Sequence, residues 1–272
     1  MDARAQGGEW LVRIEDVDRT REVPGAADAI LRTLEACALH WDGEVLRQSE
    51  RGAAYEAALE RLDAAGLSYR CSCSRAELAA AGGTGEAAEA RYPGRCRAGP
   101  RRPEGPFAVR FRVDGFGPVT VVDRLQPPLT QSVDAAVGDV VVRRRDGFYA
   151  YQLAVVVDDA WQGITDVVRG LDLYDNTPRQ RLLQQALGLP APRYLHLPLV
   201  VGRDGAKLAK SEGAPAASRP DASGALSTVL GWLGVPPPAG LLGAAPQELL
   251  GWAVTAWDPG KIQGVTTVSS ER

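Results

Sequence analysis

Apolar and polar positions in the first 70 residues follow two different periods. Trp10, Val12 and Ile14 alternate with polar side chains, which is typical of a strand with one covered face. Tyr55 and Leu59 lie four positions apart, the spacing that places side chains on one side of a helix. The pattern predicts strand, helix, helix and strand at residues 9–16, 25–39, 49–66 and 67–71. This order is typical of a layered α/β domain.

From Ser74 onward the pattern changes to short strands. Ser74 and Glu77 form a capping box, which predicts a short helix. Residues 107–113 alternate cleanly and residues 118–125 continue the strand pattern. Residues 139–151 predict a hairpin that turns at 145–147. We therefore expect a β-rich insertion between two α/β halves.

The last third returns to mixed elements. Residues 151–163 are ambiguous, because their β-branched run favours a strand while the spacing of Tyr151, Ala154 and Asp158 also fits a helix. Pro178 and Gly188 delimit a helix. The remaining predicted elements are a strand at 165–170, a strand with a tight turn at 196–208, and short helices near 226–233 and 247–256.

Composition narrows the class of protein. Of 272 residues, 45% are hydrophobic and 24% charged, as in ordinary soluble globular proteins, and no apolar run is long enough to span a membrane. The first ten residues carry no signal sequence, so we expect a cytoplasmic protein. A net charge of −3 argues against a general polyanion binder. The arginine clusters at 91–102 and 143–145 are either a local basic face or solvated surface.

Lysine is rare and unevenly placed. Lysine and arginine total 31, yet only three are lysine, and Lys207 and Lys210 stand together in the glycine-flanked stretch GAKLAKSEG. Lysine is a compact charge on a flexible stem, which suits a polyphosphate whose charge shifts during a reaction. The alternative is a surface turn with two incidental lysines.

Three of the four cysteines are close in sequence. Cys71 and Cys73 flank one serine, and Cys96 follows after a loop that contains Tyr92. Zinc prefers four tetrahedral ligands, so three thiolates would need Tyr92 or a nearby group as the fourth. The alternative is three buried free thiols. Cys37 lies in a helical pattern and is expected to be a buried small side chain.

Two strands end in charged residues that could meet a ligand. Glu15 ends the first predicted strand, and Arg169 ends the strand at 165–170. The carboxyl ends of parallel strands are common binding positions. Together the two groups could bracket an amino acid, with Glu15 on its ammonium group and Arg169 on a carboxylate. Solvated strand ends are the alternative.

A series of segments, in order, carries a resemblance over nearly the whole chain: LVRIEDVDRTREVPGAADAIL, LHWDGEVLRQSER, YRCSCSR, YPGRC, AYQLAVVVDDAWQGITDVVRGLDL, YLHLPLVVGRDGAKLAKS and AWDPGKI. They resemble the glutamyl-Q tRNA(Asp) synthetases, short paralogues of glutamyl-tRNA synthetase among the class I aminoacyl-tRNA synthetases. The resemblance implies a Rossmann-type α/β catalytic domain with a zinc-bearing insertion. It also implies activation of glutamate by ATP and Mg²⁺ and its transfer to queuosine in the anticodon loop of tRNA(Asp). It makes residues 151–161 a helix.

The resemblance assigns roles to individual residues. Glu15 would hold the glutamate amino group, and Tyr151 and Arg169 would complete the glutamate pocket. KLAKS matches the KMSKS loop of class I synthetases, with Ala209 in place of the usual serine, so Lys207 and Lys210 are the expected catalytic lysines. Lys210 would contact the ATP phosphate. The zinc ligands would be Cys71, Cys73, Tyr92 and Cys96.

The resemblance also predicts how the chain divides into domains, and it reveals one motif of the family that this sequence does not show. The expected sections are residues 1–70 and 151–215 for the catalytic domain, 71–150 for the insertion, and 216–272 for a short helical segment. No HIGH-type motif is present, so we expect that the first β-α unit is missing and that the chain as written has little or no activity. The full-length form is expected to be an active monomer. Two alternatives stay open: a fragment of an ordinary glutamyl-tRNA synthetase, and an inactive zinc-containing tRNA-binding remnant.

Overall fold

The computed structural model describes residues 1–18, 20, 22–79, 91–208 and 221–270. Within them, the helices are α1 (Asp2–Ala5), α2 (Ala26–Ala36), α3 (Gly52–Ala64), α4 (Arg75–Ala79), α5 (Val133–Ala136), α6 (Tyr151–Trp161), α7 (Thr177–Leu187), α8 (Ala222–Trp232) and α9 (Pro246–Ala256). The strands are β1 (Arg13–Ile14), β2 (Leu46–Arg47), β3 (Ser68–Cys71), β4 (Ala108–Phe111), β5 (Val119–Val121), β6 (Leu129–Gln131), β7 (Val140–Arg143), β8 (Asp166–Gly170), β9 (Arg193–Leu197), β10 (Leu199–Val201) and β11 (Thr267–Ser269). The fold is mixed α/β.

The α/β halves contain parallel strand pairs. β1 pairs with β2, β8 with β9, and β10 with β11, each in parallel. In the β8–β9 pair Arg169 lies opposite His196. A parallel pair brings the carboxyl ends of its strands to one edge, so these two polar side chains meet at the end of the pair.

The strands of the middle section pair in antiparallel fashion. β4 lies between β3 and β7 in a three-stranded sheet, and β5 and β6 form a hairpin. The chain turns after β7 at Gly147, where φ is +91°. Glycine adopts this conformation without steric cost, which agrees with the turn predicted at 145–147.

The largest hydrophobic core joins helices of the α/β halves to strands of the middle section. It contains side chains of α3, α6 and α7 and of β4 and β7. Tyr55, Leu59 and Leu62 face this core from α3, as their spacing predicts. Inside it, the buried carboxylate of Asp158 accepts a 2.6 Å hydrogen bond from the hydroxyl of Tyr55. That bond ties α3 to α6 without leaving a buried charge unpartnered.

The structure settles the ambiguous segment at 151–163 as helix. Leu153, Ala154, Val155 and Val156 of α6 are all buried. Since burial on most sides of a helix rewards any apolar residue, packing outweighs the preference of β-branched valines for strands.

Several elements differ from the sequence prediction, and β2, α5 and β6 were not predicted. β1 is two residues long where eight were predicted, because only Arg13 and Ile14 have ladder partners on β2. The strand predicted within 196–208 is replaced by β10 and by the end of β9, which begins earlier, at Arg193; the two strands are separated by Pro198, which has no N–H to donate. β11 was not predicted. Across the part of the chain that the structure describes, every helix is too short or too polar to cross a membrane.

Candidate active site and metal centre

A cavity of about 940 Å³ opens between β1, α6 and β8. Arg13 and Glu15 line it from β1 and the residue just after, Tyr151 and Asp159 from α6, and Arg169 from β8. The sequence predicted that Glu15, Tyr151 and Arg169 converge, and the structure places all three in this one cavity. They come from parts of the chain up to 154 positions apart.

Opposite charges face each other on one wall of the cavity. Arg13 donates from Nη2 to Asp159 at 2.5 Å, and its Nε lies 3.9 Å from a carboxylate oxygen of Glu15. Burial in the wall raises the pKa of Glu15, helped by the negative Asp159 and opposed by Arg13 and Arg169. Among the residues that the structure describes, this 3.9 Å contact is the only ion pair of Glu15, and 45% of its side chain is exposed. Its carboxylate is therefore available to a cationic ligand.

Arg169 is held by several hydrogen bonds. Its Nη1 donates to the side-chain oxygen of Gln180 at 2.8 Å, and its Nη2 donates to Thr177 at 2.9 Å. Its Nε lies 3.0 Å from Nε2 of His196. The hydroxyl of Tyr151 is 3.4 Å from Nη1. A guanidinium fixed in this way presents a rigid fork to a carboxylate.

The residues that fix Arg169 were missed from the sequence. Thr177, Gln180 and His196 come from α7 and β9, and Asp123 supports His196 from the segment after β5. Each is an isolated polar residue with no motif spacing. One signal could have found His196, because it is one of only two histidines and lies within the apolar stretch YLHLPLV.

Lys207 lies close to this region without lining the cavity. Its ammonium group pairs with Asp172, three residues after Arg169, and half of its side chain is exposed. Its backbone is bridged to Val201 of β10. The second expected catalytic lysine, Lys210, lies outside the described residues.

The predicted zinc ligands form one buried cluster. The sulfur atoms of Cys71, Cys73 and Cys96 all lie within 4.8 Å of one another. The hydroxyl of Tyr92 lies 3.4 Å from the sulfur of Cys71. Cys37 is buried in a different cluster, as predicted.

The spacing of the cluster fits a tetrahedral metal. Zinc with bonds of about 2.3 Å to thiolates separates their sulfur atoms by about 3.8 Å, and the sulfurs of Cys73 and Cys96 are 3.6 Å apart. Burial opposes ionisation of Cys96, yet hydrogen bonds from backbone amides and from the Tyr92 hydroxyl outweigh it and lower the pKa of this thiol to about 6. Burial raises the pKa of Cys73 to about 11. At neutral pH the thiol of Cys96 is thus ready to bind a cation, whereas the thiol of Cys73 must lose its proton on binding.

Tyr92 is held in the cluster from both sides. The guanidinium of the buried Arg110 stacks on its ring at 3.7 Å. Its backbone N–H donates to Val137 at 2.8 Å. Gly138 has φ of +73°, and a β-carbon there would lie 2.1 Å from the carbonyl oxygen of Tyr92. Only glycine permits this close approach of the two backbones.

The arginine clusters have structural partners. Arg97 binds the buried Asp139 at 2.6 Å and Asp134 at 2.8 Å. Arg144 pairs with Asp18 and Asp146. Because these guanidinium groups are neutralised within the protein, they argue against a broad basic face at those positions.

The chain matches a known family over most of its length. The family described as tRNA synthetases class I (E and Q), catalytic domain, matches residues 1–230.

Curated relatives are similar over almost the whole chain. The glutamyl-Q tRNA(Asp) synthetase of Ectopseudomonas mendocina (strain ymp) is 51% identical over 269 residues, which cover 99% of this chain and 88% of that protein. The protein of the same name from Pseudomonas aeruginosa (strain LESB58) is 52% identical over 273 residues, covering 100% of this chain and 90% of that protein.

Solved structures share the fold. A glutamate tRNA ligase from Elizabethkingia meningosepticum in complex with its amino acid has a TM-score of 0.78 at 23% identity. The glutamate-tRNA synthetase of Elizabethkingia anophelis gives the same TM-score and identity. The chain spans less than two thirds of both, covering 62% of the first and 63% of the second.

Proposed function

Because the chain belongs to the class I tRNA synthetases (E and Q), and among them to the glutamyl-Q tRNA(Asp) synthetases, we propose that this ligase activates glutamate with ATP and attaches it to queuosine in the anticodon loop of tRNA(Asp). The observation that carries the proposal is the convergence of Glu15, Tyr151 and Arg169 on one cavity. Their charges are complementary to those of an amino acid with two carboxylates.

The cavity residues would each bind a different group of glutamate. Glu15 attracts the α-ammonium group, and the fork of Arg169, with Tyr151 beside it, grips one carboxylate. The α-carboxylate then attacks the α-phosphorus of ATP, so that glutamyl-adenylate forms and pyrophosphate leaves. Holding the reacting groups in place supplies much of the rate enhancement. Lys207 and Lys210 are the groups proposed to stabilise the phosphate charge, with Mg²⁺.

The cysteine cluster would have a structural task. Cys71, Cys73, Tyr92 and Cys96 would hold Zn²⁺, and a bound ion would link β3 to the loop around residues 92–96. Zinc at such a closed site contributes folding free energy rather than reaction chemistry.

The ordinary glutamyl-tRNA synthetases remain the second candidate, favoured by the shared fold. The short paralogue is preferred because relatives of that name are about half identical over nearly their whole length. The domain boundaries, the missing first β-α unit, the cytoplasmic location and the monomeric state stay predictions.

Transfer to two tRNAs discriminates between the candidates. We expect protein expressed from its full reading frame to catalyse glutamate-dependent ATP–pyrophosphate exchange without tRNA. It is then expected to label tRNA(Asp) with radioactive glutamate only when queuosine is present. The matched control is tRNA(Asp) from cells that cannot make queuosine. Charging of the 3′ end of tRNA(Glu) would identify the ordinary synthetase, and failure to exchange or label anything would identify the inactive remnant.

Glutamate binding is expected to weaken as the pH falls through the raised pKa of Glu15. Only the ionised carboxylate attracts an ammonium group, and burial shifts its protonation above the ordinary range of glutamate side chains. Calorimetric titration with glutamate from about pH 8 to about pH 5 measures this dependence.

Glu15→Gln removes the titrating group and is expected to bind weakly, with little pH dependence in that range. Glu44→Gln, an exposed position outside the cavity lining, is the matched control and should behave as the wild type. A pH dependence that persists unchanged in Glu15→Gln would assign it to another group.

A further inference from the structure

We propose that Asp123 and His196 are positioning residues that fix the orientation of Arg169 through a relay of hydrogen bonds. Nδ1 of His196 lies 2.6 Å from Oδ2 of Asp123, and Nε2 of His196 lies 3.0 Å from Nε of Arg169. The side chains of Asp123 and His196 are fully buried. The ligand of the fork, a carboxylate of glutamate, rests on the proposed function, whereas the relay itself does not.

The contacts assign the proton on the imidazole. Burial disfavours the charged form of Asp123, but hydrogen bonds from His196 and from backbone amides outweigh it and lower the pKa of this carboxyl, so it is ionised and only accepts. Nδ1 of His196 must therefore carry the proton, which leaves Nε2 with a lone pair. Arg169 can only donate, so its Nε–H matches that lone pair. The other tautomer would set two donors against each other.

Asp123 is itself held without freedom to turn. Its Oδ1 accepts the backbone N–H groups of Leu125 and Gln126, both at 2.9 Å, and of His196 at 3.2 Å. The backbone of Asp123 is bridged to Tyr194 of β9. One oxygen thus anchors the carboxylate, and the other is free to orient the imidazole.

The relay decides which donors of Arg169 remain for a ligand. Three of its five N–H groups have short acceptors, on His196, Gln180 and Thr177. The remaining two have only 3.4 Å contacts, with the Tyr151 hydroxyl and the Leu173 carbonyl. Without the acceptor on His196, only Gln180 and Thr177 would hold the guanidinium by short hydrogen bonds, and the two donors with 3.4 Å contacts would be less precisely oriented. Precise orientation of such a fork is what makes carboxylate binding bidentate.

Asp123→Asn tests the relay with a small change in shape. The amide keeps an oxygen for the three backbone donors, while its nitrogen takes the place of Oδ2 and donates to Nδ1. That contact moves the imidazole proton to Nε2, where it opposes the Nε–H of Arg169. Asp258→Asn is the matched control, because Asp258 also accepts a backbone N–H but lies in an exposed turn far along the chain.

Nitrogen-15 NMR of labelled histidine reads the tautomer directly. The chain has only two histidines, so His40 serves as an internal reference. We expect His196 to be the Nδ1–H tautomer in the wild type and the Nε2–H tautomer in Asp123→Asn. We also expect the dissociation constant for glutamate to rise about tenfold in Asp123→Asn, as for loss of a hydrogen bond to a charged group, with no change in Asp258→Asn.

Two substitutions of His196 provide a second test if Asp123→Asn does not fold. His196→Gln can place an amide oxygen near the position of Nε2, whereas His196→Asn reaches only the position of Nδ1. We expect His196→Gln to bind glutamate several-fold more tightly than His196→Asn.

The outcomes separate the relay from the proposed function. An Nε2–H tautomer in the wild type overturns the relay. An unchanged tautomer or an unchanged glutamate affinity in Asp123→Asn does so too, as do equal affinities for the two His196 variants. If the tautomers behave as expected but the wild type binds no glutamate, the relay stands and the proposed ligand is wrong.

Discussion

Arg169→Gln is expected to lower kcat/KM for glutamate in ATP–pyrophosphate exchange by about 100- to 1,000-fold. Removing one partner of a desolvated, hydrogen-bonded charge pair costs about 2–5 kcal/mol, and each 1.4 kcal/mol is a factor of about ten. Glutamine is uncharged and shorter, so neither a fork nor an attraction remains for the substrate carboxylate. Steady-state exchange with varied glutamate at saturating ATP measures the loss.

The substitution Arg169→Gln should lower kcat/KM for glutamate and leave the KM for ATP unchanged. Arg169→Lys keeps the charge but not the fork, and it should lie between the wild type and Arg169→Gln. Arg145→Gln removes an exposed arginine on the turn after β7 and should leave exchange unchanged. Full activity in Arg169→Gln would show that this guanidinium does not hold the substrate.

Cys96→Ser is expected to remove bound zinc and to lower the melting temperature by about 10 °C or more. Loss of a structural metal ligand costs several kcal/mol, and each kcal/mol corresponds to about 2–4 °C for a chain near this size. The wild type should contain about one equivalent of zinc. Elemental analysis of freshly purified protein and calorimetric melting measure both effects.

Cys37→Ala is the matched control, since Cys37 is the one cysteine that packs in a different cluster. It should retain zinc and lose only the small stability expected for a trimmed buried side chain. Less than half an equivalent of zinc in the wild type would leave the cluster as three buried thiols.

The parts of the fold that a local pattern specifies were predictable from the sequence. Pro178 and Gly188 delimit α7 within one residue, and the capping box of Ser74 and Glu77 begins α4. β11 was not predicted, although residues 265–268 read VTTV, because so short a β-branched stretch becomes a strand only by pairing with β10. Such pairing is a tertiary effect that no short stretch contains.

The candidate site likewise contains some residues that local motifs reveal and others that only the tertiary structure reveals. Glu15, Tyr151 and Arg169 stand in motifs that a resemblance can transfer, and the structure brings them together. Asp123 and His196 stand in no motif, and their roles depend on hydrogen bonds between residues 73 positions apart. Sequence reasoning therefore found groups that line the cavity and missed the hydrogen-bonded residues behind Arg169.

Gly138 shows that a residue can be intolerant of substitution without binding a ligand itself. Its lack of a side chain leaves no atom to bind a cation, yet any side chain there would collide with the backbone of Tyr92 and force it to shift beside the cysteine cluster. Selection would thus guard this codon as strictly as that of a ligand. Intolerance to mutation at this position would reflect the close approach of two backbone segments. It would not indicate that residue 138 contacts a metal or a substrate.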